Sequence, residues 1–242
     1  MNAAVIIQAR MGSTRLPGKV LLPLAGESVL SHVVKRCQSI PGVAKVCCAI
    51  PEGDGDDALA AHAAALGATV VRGDEHDVLA RYWRAAHEIG CDTVLRVTSD
   101  CPLIDPWVCG DVLALLKDDQ VDYACNHMPR SWPHGLDCGA FRLAWLDRAY
   151  AEASTPRERE HVVTYIRLHP EARLANLANP IEGHVDWRWT LDTPADYAFM
   201  QAMFDRLPAG EAGWHWEAAR DVVLRDPGLA EINLPDGRPG NA

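Results

Sequence analysis

The sequence predicts one α/β domain built on a mainly parallel sheet that is flanked by helices on both faces. Short apolar runs rich in β-branched residues alternate along the chain with longer segments of helical periodicity. Such alternation is typical of parallel sheets, because each helix returns the chain to the side where the next strand begins. The 242 residues suffice for one large domain with a sizeable core, and no linker-like stretch divides them.

The elements of the first half follow in regular order. Strands are predicted at 4–8, 45–50, 69–72 and 93–98, and helices at 28–40, 56–66, 77–89 and 107–116. The helix at 77–89 is supported by apolar residues at spacings of three and four, namely Val78, Leu79, Tyr82, Trp83 and Ala86. Gly90 is expected to end this helix.

The second half is less regular. Prolines and glycines in 121–139 predict a long functional loop beside a strand. Thr155 as N-cap, Pro156 at the first helical position and Glu158 in a capping box predict a helix that runs to about Leu168. A strand is expected at 187–191, followed by a helix that opens at Thr193. The domain is predicted to span 1–233, with a disordered tail at 234–242.

Composition and charge exclude several function classes. A formal net charge of −10 argues against a broad surface for nucleic acid or anionic lipid, so neither is expected as a partner. A small anionic substrate must therefore meet a local concentration of positive charge. The first apolar run is too short for a signal peptide or a membrane span, and the eight cysteines form no CxxC pair. We expect a cytoplasmic protein with buried, reduced thiols.

The segment directly after the first strand, residues 8–19, has the composition of a phosphate-binding loop. In an open parallel sheet the ligand crevice lies at the carboxyl ends of the strands, where this segment begins. Gly12 allows close backbone approach, Ser13 adds a hydroxyl, and Arg10, Arg15 and Lys19 supply three cations. No Walker A or GxGxxG pattern is present. The alternative is a solvated basic turn.

Two aspartates follow predicted strands near this loop. Asp100 comes just past the strand at 93–98, and Asp192 lies between the strand at 187–191 and the next helix. Taken alone, Asp192 is equally explained as a helix N-cap. Together, two strand-end carboxylates beside a cationic loop predict a Mg²⁺-dependent phosphoryl-transfer site, because Mg²⁺ is commonly held by one or two carboxylates, waters and phosphates.

These motifs resemble a known family. The opening QARMGSTRLPGK resembles the nucleotide loop of CMP-sugar synthetases, which include 3-deoxy-manno-octulosonate and acylneuraminate cytidylyltransferases. The branch of spore-coat polysaccharide biosynthesis protein F is closer, because the segments 96–104, 159–162 and 191–194 resemble it as well. The matching segments are spread over most of the chain.

The resemblance implies a glycosyltransferase-A-like nucleotidyltransferase fold, CTP as co-substrate, release of pyrophosphate and a role in polysaccharide or surface-glycan precursor synthesis. It implies Mg²⁺ at Asp100 and Asp192. The predicted catalytic residues are Arg10, Lys19, Asp100 and Asp192. The predicted nucleotide-binding residues are Ala9, Arg10, Gly12, Ser13, Arg15, Lys19, Arg72 and Thr98. For Arg72 and Thr98, a surface salt bridge and a strand-end hydroxyl are the alternatives.

The resemblance also implies a small acceptor with a carboxylate or phosphate, such as a 2-keto-3-deoxy sugar acid. We expect its pocket opposite the nucleotide loop, formed by the loop from His127 to Asp137 and by the helix that carries Arg157, Arg159 and His161, with His134 and Asp137 binding hydroxyls. Surface pairing of the arginines is the alternative. The branch often has an acidic residue where this chain has Cys138. Of the properties that the resemblance implies, the identity of the acceptor is therefore the one that can least be carried over to this chain.

Two rival functions share parts of this pattern. A glycosyltransferase of related fold would use a nucleotide-sugar and usually carry an Asp-x-Asp motif, whereas Asp100 stands alone between serine and cysteine. A non-catalytic nucleotide-binding module would keep the phosphate loop but not both aspartates. A homodimer is an assembly that the sequence allows.

Overall fold

The computed structural model describes residues 2–118, 120–208 and 214–234. Within these ranges a seven-stranded sheet forms the centre of the molecule. Its strands are β1 (Ala3–Gln8), β4 (Val43–Pro51), β5 (Thr69–Gly73), β6 (Thr93–Thr98), β7 (Tyr123–Cys125), β8 (Gly139–Arg142) and β9 (Leu174–Asn176). The short strands β2 (Pro23–Leu24) and β3 (Glu27–Ser28) pair separately.

The helices that pack around this sheet are α1 (Val29–Gln38), α2 (Asp57–Ala65), α3 (Val78–Ile89), α4 (Pro106–Leu115), α5 (Leu143–Glu152), α6 (Pro156–Glu160), α7 (Thr164–Leu168), α8 (Pro194–Phe204), α9 (Trp216–Arg225) and α10 (Gly228–Glu231). The strand order is β5-β4-β1-β6-β8-β7-β9. β1 runs parallel to β4 and β6, whereas β8 runs antiparallel to β6 and β7.

Both faces of the sheet are covered, as the sequence predicts. Successive side chains of a strand point to opposite faces, and β1 follows this rule. Val5 and Ile7 pack with α1, α2 and α4, whereas Ile6 packs with α3, α5 and α7. A third apolar cluster, which includes Trp189 and Trp216, joins α8, α9 and α10 to this body. The predicted fold class is confirmed, and the predicted elements of the first half agree with the observed ones to within two residues.

Two predicted elements of the second half are wrong. The helix expected to run to about Leu168 is divided between α6 and α7, because His161 leaves the helical conformation with φ −106° and ψ 76°. This break turns Val162 and Val163 into the core, although the capping box of Thr155 and Glu158 is present. A continuous helix buries the residues of one face, and a break lets residues at other positions reach the core.

The strand expected at 187–191 is the second error. The N–H of Trp189 donates to the carbonyl of His134, and the N–H of Leu191 donates to the carbonyl of Asp100 over 2.8 Å. Its hydrogen bonds therefore reach two separate loops, so the extended segment forms no ladder with a neighbouring strand.

The remaining large-scale expectations stay predictions. The domain limits of 1–233 are untested, and the expected disordered tail lies outside the described residues except for Leu234. None of the helices in the described ranges has both the length and the apolar character needed to cross a bilayer.

Candidate active site

A cavity of about 720 Å³ opens at the carboxyl ends of β1 and β6. Its walls are the loop after β1, the segment between β5 and α3, the end of β6, parts of α6, and Asp192. It is therefore located where an open α/β sheet binds ligands. Of the predicted residues, Ala9, Arg10, Gly12, Ser13, Arg15, Lys19, Thr98, Asp100, Arg159, His161 and Asp192 line it.

Lys19 lies at the floor of this cavity between the two predicted carboxylates. Its Nζ donates to Asp100 Oδ2 over 2.9 Å, to Asp192 Oδ1 over 2.8 Å and to the carbonyl of Leu191 over 2.8 Å. Gly18 adopts a left-handed φ of 66° just before the 3-10 turn that carries Lys19. Burial lowers the pKa of Lys19, but the two aspartates outweigh it and raise the pKa above its ordinary value. The ammonium is therefore charged.

Asp192 is held by three cations. Besides Lys19, Arg15 lies 3.0 Å from Oδ1 and Arg188 lies 2.9 Å from Oδ2. Burial raises the pKa of Asp192, but the hydrogen bond and charge of Lys19, together with the arginines, bring it below its ordinary value. The N-cap of α8 is Thr193, whose hydroxyl accepts the N–H of Asp196. Helix capping therefore does not explain Asp192.

The loop after β1 presents unused donors to the cavity. Within the described part of the chain, the backbone N–H groups of Gly12, Thr14 and Arg15 have no protein acceptor. The side chains of Arg10 and Arg15 are 51% and 61% exposed, so both can reach a ligand. Successive free N–H groups beside cations form an anion-binding surface suited to a polyphosphate.

Arg72 is the predicted nucleotide-binding residue that the structure places away from the cavity. Its guanidinium donates to the carbonyls of Pro51 and Gly53 and forms an ion pair with Asp57 over 3.0 Å. These contacts fasten β5 to the connection after β4, because the strand turns Arg72 toward the edge of the sheet. The salt-bridge alternative describes this residue.

The structure divides the residues predicted for the acceptor pocket between two cavities. Arg159 and His161 line the 720 Å³ cavity together with the phosphate loop, whereas His134 and Asp137 line a second cavity of about 240 Å³. Arg157 is exposed and lines neither. The guanidinium of Arg159 is bound by Asp77 and by a backbone carbonyl, so its charge is already compensated. Arg159 contacts Asp77 before α3, whereas His134 pairs with Arg188.

The second cavity also contains His127, where the predicted acceptor loop begins, and two residues that the sequence analysis missed, Arg96 and Tyr123. It shares Thr98, Asp100 and Asp192 with the first cavity, and Arg96, Tyr123 and His127 line it as well. The missed signal was Arg96, a charged residue within the apolar strand 93–98. Tyr123 gave no comparable signal, because an aromatic residue in a strand normally belongs to the core.

The donor set fits magnesium only together with a ligand. No group of three or more acidic, histidine or cysteine side chains in the described ranges could hold a metal ion. Asp100 and Asp192 are the two carboxylates available, and Lys19 already bridges them. Because Mg²⁺ is often held by one or two carboxylates with phosphates and waters, these residues fit an ion that arrives with a triphosphate.

The family model of the cytidylyltransferases matches residues 4–176. The chain belongs to the cytidylyltransferase family. Spore coat polysaccharide biosynthesis protein SpsF of Bacillus subtilis is 35% identical over 214 residues, which cover 85% of this chain and 87% of that protein. The 3-deoxy-manno-octulosonate cytidylyltransferase of Paramagnetospirillum magneticum is 34% identical over 184 residues, which cover 68% of this chain and 73% of that protein.

Solved structures agree with this assignment. A cytidylyltransferase from Leptospira borgpetersenii superposes with a TM-score of 0.91 at 27% identity, covering 98% of this chain and all of that one. A CMP:2-keto-3-deoxy-manno-octonic acid synthetase, solved with CTP, superposes with a TM-score of 0.62 at 21% identity over 85% of this chain and 99% of that one, which supports the fold alone. The predicted nucleotidyltransferase fold and the family resemblance are confirmed, and CTP is the co-substrate that the family implies.

Proposed function

We propose that this cytidylyltransferase transfers CMP from CTP to a small anionic or sugar-like acceptor and releases pyrophosphate, as a step of polysaccharide or surface-glycan precursor synthesis. The observation that carries the proposal is the arrangement of Lys19 between Asp100 and Asp192, beneath a loop with free N–H groups. The names of the relatives, a spore coat polysaccharide protein and 3-deoxy-manno-octulosonate cytidylyltransferases, support the acceptor class.

The reaction joins an acceptor oxygen to the α-phosphorus of CTP and breaks the bond from that phosphorus to the β-phosphate oxygen. Negative charge then accumulates on the leaving pyrophosphate. Arg10, Arg15 and the free N–H groups of the loop are positioned to bind the phosphates, and Lys19 offsets the developing charge. A magnesium ion held by Asp100 and Asp192 with the triphosphate would further neutralise the phosphate oxygens.

The ion pairs of Lys19 prepare the site before a ligand binds. A side chain that is 11% exposed and has three acceptors cannot sample many rotamers. Electrostatic stabilisation is most effective when the charged group needs no reorganisation during the reaction. The contacts of Lys19 therefore favour catalysis over mere storage of a nucleotide.

The cellular setting is part of the proposal. All eight cysteines are buried and free. Thiols in this state fit a reducing compartment, which supports a cytoplasmic location.

The deciding experiment is a pyrophosphate-release assay with CTP, Mg²⁺ and a panel of acceptors that starts with 3-deoxy-manno-octulosonate. We expect pyrophosphate only when both CTP and an accepted compound are present, and a smaller yield with UTP, ATP or GTP. Release of a nucleotide from a nucleotide-sugar would instead indicate a glycosyltransferase. Binding of CTP without pyrophosphate release across the panel would indicate a binding module.

Base preference has a separate measurement. A ligand that binds only the folded state raises its stability, so thermal-shift titration can compare the four triphosphates in the presence of Mg²⁺. CTP should give the largest shift. Equal or greater stabilisation by a purine triphosphate would contradict the assignment of cytidine.

A further inference from the structure

Arg96, in the middle of β6, is a guanidinium with no counter-charge among the residues that the structure describes. It donates a hydrogen bond over 2.9 Å to Oε1 of the neutral amide of Gln8. Its Nε is buried and has no hydrogen-bond partner, and no carboxylate in the described ranges forms an ion pair with it. Arg96 is half-buried, and taking a charge partly out of water without an opposite charge beside it still costs free energy. An anionic ligand would therefore stabilise this side chain, because no carboxylate among the described residues does so.

The hydroxyl of Tyr123 lies next to Arg96 across the sheet. Arg96 pairs in register with Gly139 of β8, and a Cβ on Gly139 would lie 2.7 Å from Tyr123 Oη. Tyr123 is 1% exposed, and its hydroxyl has no hydrogen-bond partner in the described part of the chain. The thiol of Cys125 is near enough to influence the pKa of Tyr123, but no hydrogen bond of normal geometry joins them. Glycine at 139 leaves the hydroxyl its space.

His127 adds a third unpartnered group to the same cavity. Its Nδ1 is buried and makes no hydrogen bond. Burial lowers the pKa of His127 to about 4, and the ring is therefore neutral at neutral pH, with one nitrogen able to donate. The second cavity thus combines one cation with two neutral groups that can donate hydrogen bonds.

The other charges around this cavity are already paired. Asp137 accepts two hydrogen bonds from Arg130, over 2.8 and 3.0 Å. Lys19 pairs with Asp100 and Asp192, and Arg15 and Arg188 also pair with Asp192. The charge left over in the cavity is the positive charge of Arg96, which favours an anionic ligand.

We propose that the second cavity is the acceptor site and that Arg96, together with Tyr123 and His127, binds the acceptor's anionic group. The assignment to an acceptor rests on the proposed function, because the cavity shares Asp100 and Asp192 with the nucleotide cavity. Its volume of about 240 Å³ selects a compact acceptor, since ligand pockets usually measure about 300–1,000 Å³. The anionic group is a carboxylate or a phosphonate.

The test compares anion binding by the wild type and by Arg96→Met and Tyr123→Phe. Protein saturated with CTP and Mg²⁺, which fill the phosphate loop, is titrated calorimetrically with lactate, methylphosphonate or neutral glycerol. We expect at least one anion, but not glycerol, to bind. Each substitution should weaken that binding roughly ten- to a hundredfold, the loss expected for a hydrogen bond to a charged group. Which anion binds identifies the acceptor's group.

Arg167→Met is the matched control. The charge of Arg167 contributes to the lowered pKa of His127, but its side chain is exposed and does not line the cavity. This variant should bind the anion within about threefold of the wild type, since a screened surface charge contributes little. Equal losses in Arg167→Met and Arg96→Met would overturn the proposed direct contact.

Three further results separate the possible failures. Absence of saturable anion binding by the wild type, or unchanged binding by Arg96→Met, would overturn the proposal. A clear fall in the melting temperature of ligand-free Arg96→Met would show that groups of the protein already stabilise the charge of Arg96, contrary to the proposal. If CTP does not stabilise the wild type but lactate binding to the ligand-free protein depends on Arg96, the anion site stands and the proposed nucleotide function fails.

Discussion

Replacing Lys19 by methionine tests the centre of the site. The change keeps the length of the side chain but removes the charge that Asp100 and Asp192 share. Asp192 would retain Arg15 and Arg188, whereas Asp100 makes no other ion pair within the described ranges. Most of the lost stability should therefore come from Asp100, which would remain charged without a partner.

The size of the effect follows from the burial of these groups. Removing one partner of a fully buried ion pair costs about 3–5 kcal/mol. The side chains of Asp100 and Asp192 are 24% and 16% exposed, so water offsets part of this loss. We expect Lys19→Met to lose about 2 kcal/mol of stability, because the carboxylates remain partly hydrated. For a chain of this size that is a fall in melting temperature of about 4–8 °C.

Catalysis should suffer more than stability. Loss of one preorganised charge-stabilising group typically lowers kcat by roughly 10²–10³-fold. The assay is pyrophosphate release at saturating CTP and acceptor, with thermal melts of the same preparations. Lys35→Met is the control, since Lys35 pairs with Glu27 at the surface and should change neither quantity appreciably. A folded Lys19→Met enzyme with wild-type kcat would refute the role assigned to Lys19.

Three other changes give distinct readouts. Asp192→Asn should abolish Mg²⁺-dependent turnover in a folded protein, and wild-type turnover would reduce Asp192 to a structural ion-pair partner. Hydrogen bonds from Arg173 lower the pKa of Asp122 to about 2, below its unfolded value, so its stabilising effect is lost as the pH falls from about 4 to about 2. Asp122→Asn should make the melting temperature depend less on pH over that range, and an unchanged pH dependence would contradict this. Gly135→Ala places a Cβ 2.3 Å from backbone atoms at φ +121° and should lower the melting temperature by more than about 5 °C. Gly183→Ala, also at positive φ but in open space, should lose less, and equal losses would exclude the clash as the cause.

Periodicity in the first half of the chain was sufficient to predict the core of the fold. β1 and β6 are short apolar runs, and α3 carries a clear helical period that ends at Gly90. Such patterns are local, so they can be assigned without knowing what packs against them. The segment 187–191 alternates apolar and polar residues as a strand would, but its hydrogen-bond partners lie in two loops. Whether an extended segment becomes a strand depends on a partner that its own residues do not specify.

The composition of the sequence also located the phosphate loop and the two strand-end aspartates, because glycines, cations and acids at the end of a strand are visible in the chain itself. Only the tertiary structure decided which charges compensate one another. Lys19 meets Asp100 81 residues away and Asp192 173 residues away, whereas Arg159 is bound by Asp77, and Arg96 forms no ion pair with any described residue. Side-chain pairing over such separations depends on strand register and helix packing, and a one-dimensional pattern shows which face a residue occupies but not which residue it meets there.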